Sequence, residues 1–462
     1  MTRPEQLLTA LPAAMRVLTD PAQTGAVVLS LPQDVQSHAY DFPTALFHDT
    51  FWRVRRPAAD PNEVTQVAAL LAEARRPLII AGGGVNYSGA TAELDRLVEL
   101  AGVPGVETFG GKGAVQRRAW WQLGGIGLEG TPAVNELARE SDFVLTVGSR
   151  LTDFAIASHS LFQHPDVRFA GINLDVQDAG RLGAVGIVAD AKRALAALAD
   201  EVEARRIAAP ADWRQRVEAA HARWVPVRAR AIDPGVPFGK SAVPADSDVV
   251  TDTDLQKVWD ATEGRHCHLE FGFSCMGYEL PAAIGVRLAE PRPEARVTAF
   301  IGDGTFLMAL TELVTAAQER AAVTIVIAEN HGYQVIHRLQ MGRNGAEFGN
   351  EFRCRNGTLD LTDGKPARLE SDYLDVDLVS VAAGLGARAL RATTADEFAE
   401  ALDSTRDHQG PVVIVVPVVP LADLPGAGVW WDVAPAEVAE QPTVAALRAE
   451  YEAGLAGQRW FG

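Results

Sequence analysis

Two short stretches of this sequence hold residue types that can grip a charged ligand. In Phe300-Ile301-Gly302-Asp303-Gly304-Thr305 one aspartate sits between two glycines at the end of an apolar run. Glu329-Asn330-His331-Gly332 follows a second apolar run, with 25 residues between Gly304 and Asn330. An apolar run ending in glycine reads as a parallel strand opening into a tight turn, and that carboxyl edge is where open α/β sheets bind ligands. One helix and one strand separate the two turns, so adjacent parallel strands place them side by side. Gly302 and Gly304 let a diphosphate approach the backbone, while the helix entered at Thr305 offers N–H groups to phosphate oxygens. The Asp303 carboxylate, the Asn330 side-chain carbonyl and a backbone carbonyl near Gly332 form a hard-oxygen set suited to Mg²⁺, with water completing the octahedron. Either turn alone is as readily an ordinary connection; the pair at this spacing points to chemistry.

Other candidates carry less. Gly82-Gly83-Gly84 follows a strand as a dinucleotide turn does, but counting GxGxxG from Gly82 puts Tyr87 where the third glycine belongs, so a tight strand-to-helix turn is the better reading. His266 and His268 flank Cys267 at strand spacing without a second ligand pair, which argues against zinc. His331 and His337 lie near the proposed magnesium turn, facing either substrate or solvent.

The elements that must position these turns come from alternating patterns. Residues 61–198 predict helix 63–74, strand 78–81, helix 92–101, strand 143–147 and strand 168–174, the signature of a parallel sheet covered on both faces. A charged helix over 213–230 and a Pro/Gly-rich stretch, 233–248, read as a connection. A second alternating unit, 249–419, has strands at 297–301, 324–328 and 412–416, and the tail holds Trp430, Trp431 and a helix over 443–456. The first residues predict an amphipathic helix, and Gly25 to Leu31 (GAVVLSL), ended by Pro32, predicts a buried strand. The fold class is therefore α/β, two doubly wound parallel-sheet domains preceded by a fragment of a third. The divisions expected are 1–44 (fragment and linker), 45–200 (central domain), 201–248 (linker), 249–430 (ligand-binding domain) and 431–462 (tail).

Composition narrows the function class. The formal charge of -18, from 60 acidic and 42 basic residues, disfavours nucleic acid, and no apolar run is long enough for a membrane span. Three cysteines without a CxxC pair fit a reducing compartment, with the cytoplasm as the expected location.

GDG, about 25 residues and then Asn resembles the cofactor motif of thiamine-diphosphate enzymes, the family of acetolactate synthase and pyruvate decarboxylase. Phe273 to Pro291 (FSCMGYELPAAIGVRLAEP) resembles the family segment whose bulky side chain wedges beneath the bent cofactor, a position held here by Met276. The stretches RPEQLLTALPAAMRVLTDPAQTGAVVLSLPQDVQ, TFGGKGAVQ, HLEFGFSCMGYE and WWDVAPAEVAE resemble the branch of the family that hydrolyses trihydroxycyclohexane-1,2-dione in myo-inositol catabolism. The resemblance implies thiamine diphosphate and Mg²⁺ as cofactors, held by Met276, Gly302, Asp303, Gly304, Thr305, Asn330 and Gly332, with Asp303, Asn330 and Gly332 on the metal. It implies ring opening of a cyclic 1,2-dione to 5-deoxyglucuronate; a carboligase or decarboxylase like acetolactate synthase and a non-enzymatic partner are the rival readings.

The sequence departs from the family in two places. Residues 1 to about 35 resemble only the end of the pyrimidine-binding domain, and no residue matches the glutamate with which that domain activates the cofactor. The chain alone is therefore expected to be inactive, with a homodimer or homotetramer expected of a complete enzyme, or a separate pyrimidine-domain chain as partner. The second departure is Thr251 to Asp254, where relatives carry a glycine turn against the diphosphate.

Overall fold

In both sheets of the protein every strand runs parallel to its neighbours. The computed structural model describes residues 1–115, 123–232, 248–250, 255–259, 261, 266–269, 272–344, 349–354, 371–420 and 426–461. Thr251 to Asp254 lie outside the described residues.

The first sheet has strands β1 (Pro77–Ala81), β2 (Gly105–Glu107), β3 (Phe143–Val147), β4 (Arg168–Asn173) and β5 (Val185–Val188), in the order β2-β1-β3-β4-β5. β1 and β3 are buried on both faces, as their unbroken apolar runs require. Asp60 caps the helix Pro61–Glu73 by accepting from the Asn62 N–H, and Asp190 caps Ala191–Arg205 through Arg193; both helices cover one face.

The helix Ala211–Ala231, expected as part of a connection, sets Trp213, Val217, Ala220 and Trp224 into the opposite face, where Trp213 Nε1 donates to the Pro77 carbonyl at 2.9 Å. Its charged residues take the outer side, so a low apolar content concealed a core-facing stripe.

The second sheet has β6 (Asp248–Val250), β7 (Cys267–His268), β8 (Val297–Gly302), β9 (Val323–Glu329), β10 (Arg388–Arg391) and β11 (Val412–Pro417), in the order β10-β11-β9-β8-β6-β7. β8 and β9 are neighbours in register from Val297↔Val323 to Gly302↔Ala328, which sets their turns side by side. The chain goes from β6 to β7 on one side and then to β8 on the other, so a crevice opens at their carboxyl ends.

The amino-terminal region corrects one expectation. Residues 25–31 form no strand, and Val28 is 88% exposed. No described strand lies beside them to take their N–H and C=O groups, and a lone β-branched run has no ladder to join.

The tail closes over the first domain. Trp431 Nε1 donates to Asp153 at 2.9 Å, the Asp432 N–H donates to the Ser158 hydroxyl at 2.9 Å, and the Arg459 N–H donates to the His159 carbonyl at 2.9 Å. These contacts hold Ala157, Ser158 and His159, three successive residues at positive φ. Arg343, at the end of the helix that follows the Asn330 turn, donates to the Trp431 carbonyl, so the tail touches both domains.

Candidate functional site

Asp303 and Asn330 stand at the carboxyl ends of β8 and β9, each nearly inaccessible to solvent. Asp303 Oδ1 accepts from the N–H groups of Gly304 (2.7 Å) and Gly332 (3.1 Å), and Oδ2 accepts from the His331 N–H at 2.6 Å. One carboxylate thus ties the two turns together. Burial pushes the Asp303 carboxyl up to about 6, against the opposing pull of these three N–H donors and the His331 side chain. The Gly304 N–H is turned onto its own neighbour's carboxylate.

The Asn330 side-chain oxygen faces two other oxygens, Asp303 Oδ1 at 3.0 Å and the Gly332 carbonyl at 2.8 Å. With the amide reversed, its NH₂ would donate to both, and the cluster would need no cation. With the oxygen inward, three oxygens converge and repel one another, an arrangement that a cation between them, or a proton on Asp303, relieves. Neighbouring ligands of an octahedral Mg²⁺, at about 2.0–2.1 Å from the ion, lie about 2.9 Å apart. The spacing and the donor chemistry fit magnesium. Among the described residues no cluster of three or more His, Cys, Asp or Glu exists, so a zinc-type centre has no place there.

Neighbouring groups fix the second turn. Gln334 Nε2 donates to the Asn330 carbonyl at 2.9 Å. Gly332 sits at φ +146°, and a Cβ there would come within 2.3 Å of the Asn350 carbonyl, so no other residue fits. Residues 350–353 lie along this turn: the Tyr333 N–H donates to the Asn350 carbonyl and the Phe352 N–H to the His331 carbonyl, both at 2.9 Å. Behind them the fully buried Glu351 carboxylate pairs with Arg353 at 2.6 Å and accepts from the Tyr373 hydroxyl at 3.0 Å, while the His331 and Tyr373 rings stack 4.4 Å apart. Sequence reading missed this support because Glu351, Arg353 and Tyr373 follow no spacing rule.

The remaining residues fall as follows. Gly302 caps the short helix Asp303–Ala309, in which Gly304 is buried and Thr305 half-buried. Met276 is 41% exposed on the segment after β7, beside Phe273 at 90%. His337 is buried, which excludes the solvent-facing reading, and His331 is half-buried against Tyr373. Glu329 is a buried carboxylate paired with Arg391. His268 shares a hydrogen bond with Tyr278. In the first domain, a Cβ on Gly82 would lie 2.3 Å from the Gly148 carbonyl and one on Gly84 2.6 Å from Gly148 Cα. These glycines serve close backbone packing between β1 and the turn after β3.

Comparison with known proteins agrees with this architecture. The family model described as thiamine pyrophosphate enzyme, central domain, matches residues 64–198, and that described as C-terminal TPP binding domain matches 251–416. The chain is 35% identical over 485 residues to a Bacillus cereus protein named 3D-(3,5/4)-trihydroxycyclohexane-1,2-dione hydrolase 2, covering 96% of this chain and 74% of the relative. It is 34% identical over 483 residues, with the same coverage, to a Bacillus anthracis protein of the corresponding name. A crystal structure from Mycobacterium smegmatis, assigned as a thiamin diphosphate-dependent enzyme, shares the fold with a TM-score of 0.67 at 22% identity, over 91% of this chain and 75% of that one. With two domain models matched in order and a third of its residues shared with longer relatives, the chain belongs to the thiamine-diphosphate-dependent enzymes.

Proposed function

We propose that this chain supplies the diphosphate- and magnesium-binding half of an enzyme that opens a cyclic 1,2-dione by hydrolysis. The observation carrying the proposal is the convergence of the Asp303 carboxylate, the Asn330 side-chain amide and the Gly332 carbonyl on adjoining strand ends. The relatives' printed activity supports the choice of substrate class. In the net reaction water adds across one ring bond between two carbonyl carbons; one becomes a carboxylate and the other an aldehyde, as in 5-deoxyglucuronate from trihydroxycyclohexane-1,2-dione, a step of myo-inositol catabolism.

When bound, thiamine diphosphate supplies the electron sink for this cleavage, with Mg²⁺ neutralising its diphosphate. The chain's own residues hold that end in place. Asp303 and the Asn330 and Gly332 carbonyls present oxygens to the metal, Gln334 fixes the Asn330 peptide, and the Glu351–Arg353–Tyr373 group fixes Gly332 from behind. No residue of this chain is assigned to the proton transfer that activates the cofactor.

The test is an assay of cyclic-dione hydrolysis against pyruvate consumption, with Mg²⁺ and thiamine diphosphate, on the chain alone and with a separately supplied pyrimidine-binding domain. Dione hydrolysis without pyruvate turnover supports the proposal. Pyruvate turnover alone moves the chain to the carboligase type.

A further inference from the structure

The paired turns grip one end of the cofactor, and the ring-bearing end needs its own support. By the family resemblance that end falls to Met276, shortly before the helix Glu279–Ala289. Phe273 and Met276 are exposed, and Ser274 at φ +50° and Gly277 at φ +91° take left-handed conformations, the first of them strained for a residue with a side chain.

The residues on either side of this stretch are joined. His268 is the last residue of β7 and Tyr278 directly precedes the helix; the Tyr278 hydroxyl and His268 Nε2 are 2.8 Å apart, with the rings edge-on at 5.6 Å. Tyr278 packs its ring against the core beneath the second sheet, so the pair is anchored to the body of the domain. Burial lowers the proton affinity of His268, keeping the imidazole neutral and able to exchange one hydrogen bond with a phenol. β7 lies two places from β8 in the sheet, about 10 Å at ordinary strand spacing, on the far side of the crevice from the metal turns.

We propose that the His268–Tyr278 hydrogen bond closes the base of the Met276 segment and sets the position of Met276 beneath the ring-bearing half of the cofactor, making His268 and Tyr278 positioning residues. The proposal rests on the cofactor reading above. It differs from general stabilisation in acting on one end of the ligand only.

Two probes separate the ends: thiamine diphosphate with Mg²⁺, which needs both, and inorganic pyrophosphate with Mg²⁺, which needs only the metal turns. In calorimetry Tyr278→Phe is expected to weaken thiamine diphosphate about three- to tenfold, the worth of one net hydrogen bond, and to leave pyrophosphate unchanged. His268→Gln, which keeps a partner for the phenol, is expected to stay within about twofold of the parent for both probes. Unchanged thiamine diphosphate affinity in Tyr278→Phe, or equal loss of both probes, overturns the proposal. A parent chain that binds neither probe overturns the cofactor reading itself, and the proposal with it.

Discussion

The His331 N–H donates to Asp303 Oδ2 at 2.6 Å, joining the turn after β9 to the turn after β8 through one side chain. Asp303 is therefore both the latch between the turns and the charged member of the proposed metal set. Asp303→Ala is expected to lower affinity for Mg²⁺ with pyrophosphate by more than about 100-fold, because even the outlying partners of a metal site are worth about 10–100-fold. Titration calorimetry measures this; parent-like affinity in the variant would remove Asp303 from the site.

The raised Asp303 carboxyl gives a pH dependence with a definite sign. Its folded value, about 6, lies above the ordinary aspartate range, so the fold disfavours the ionised form. In the metal-free chain the native state takes up this proton before the unfolded state does, and this group's contribution to stability improves as pH falls through about 6 towards 4. The metal takes the ionised form, so affinity for Mn²⁺ alone, read by electron paramagnetic resonance, is expected to be flat above about pH 6 and to fall up to about tenfold per unit below it. Constant affinity between about pH 5 and 7 would contradict this.

Glu351 has no exposed side-chain surface and relies on Arg353 and Tyr373 for its charge. Glu351→Ala strands the Arg353 guanidinium in a mostly buried place, and removal of one partner of a buried pair costs about 3–5 kcal/mol. Urea unfolding should show a loss of that order, accompanied by weaker metal binding, because residues 350–353 brace the Gly332 turn. Loss of stability with unaltered metal affinity would confine the group to folding.

The legible parts of the sequence were those where one physical rule dominates. The apolar runs of β3, β8, β9 and β11 announce buried parallel strands, and the short connection between GDG and Asn330 announces that β8 and β9 are neighbours, although it holds two helices, Asp303–Ala309 and Glu312–Gln318, where one was expected. Residues 25–31 obey the same rule and form no strand, because a strand exists only with a neighbour to bond. The three N–H bonds onto Asp303, the Glu329–Arg391 pair and the Glu351 support depend on residues brought together from distant chain positions. No local pattern marks them.

Gly82 tests the packing explanation of the glycine cluster. Gly82→Ala places a Cβ within 2.3 Å of the Gly148 backbone, which has no flexible end to move aside. The expected result is a loss of at least about 1–3 kcal/mol in unfolding experiments, with binding of Mg²⁺ and pyrophosphate retained by the folded fraction. A variant as stable as the parent would show that β1 and β3 do not need this close approach.

The orientation of the Asn330 amide decides the metal site. Crystals of the chain grown with Mn²⁺ and thiamine diphosphate, with anomalous data at the manganese edge, locate the ion without reference to any assumed chemistry. The expected result is one anomalous peak coordinated by Asp303 Oδ1, Asn330 Oδ1 and the Gly332 carbonyl, at about 2.2 Å from each. No peak between them, with the Asn330 NH₂ turned inward to donate to both other oxygens, would contradict the assignment of these turns to a metal.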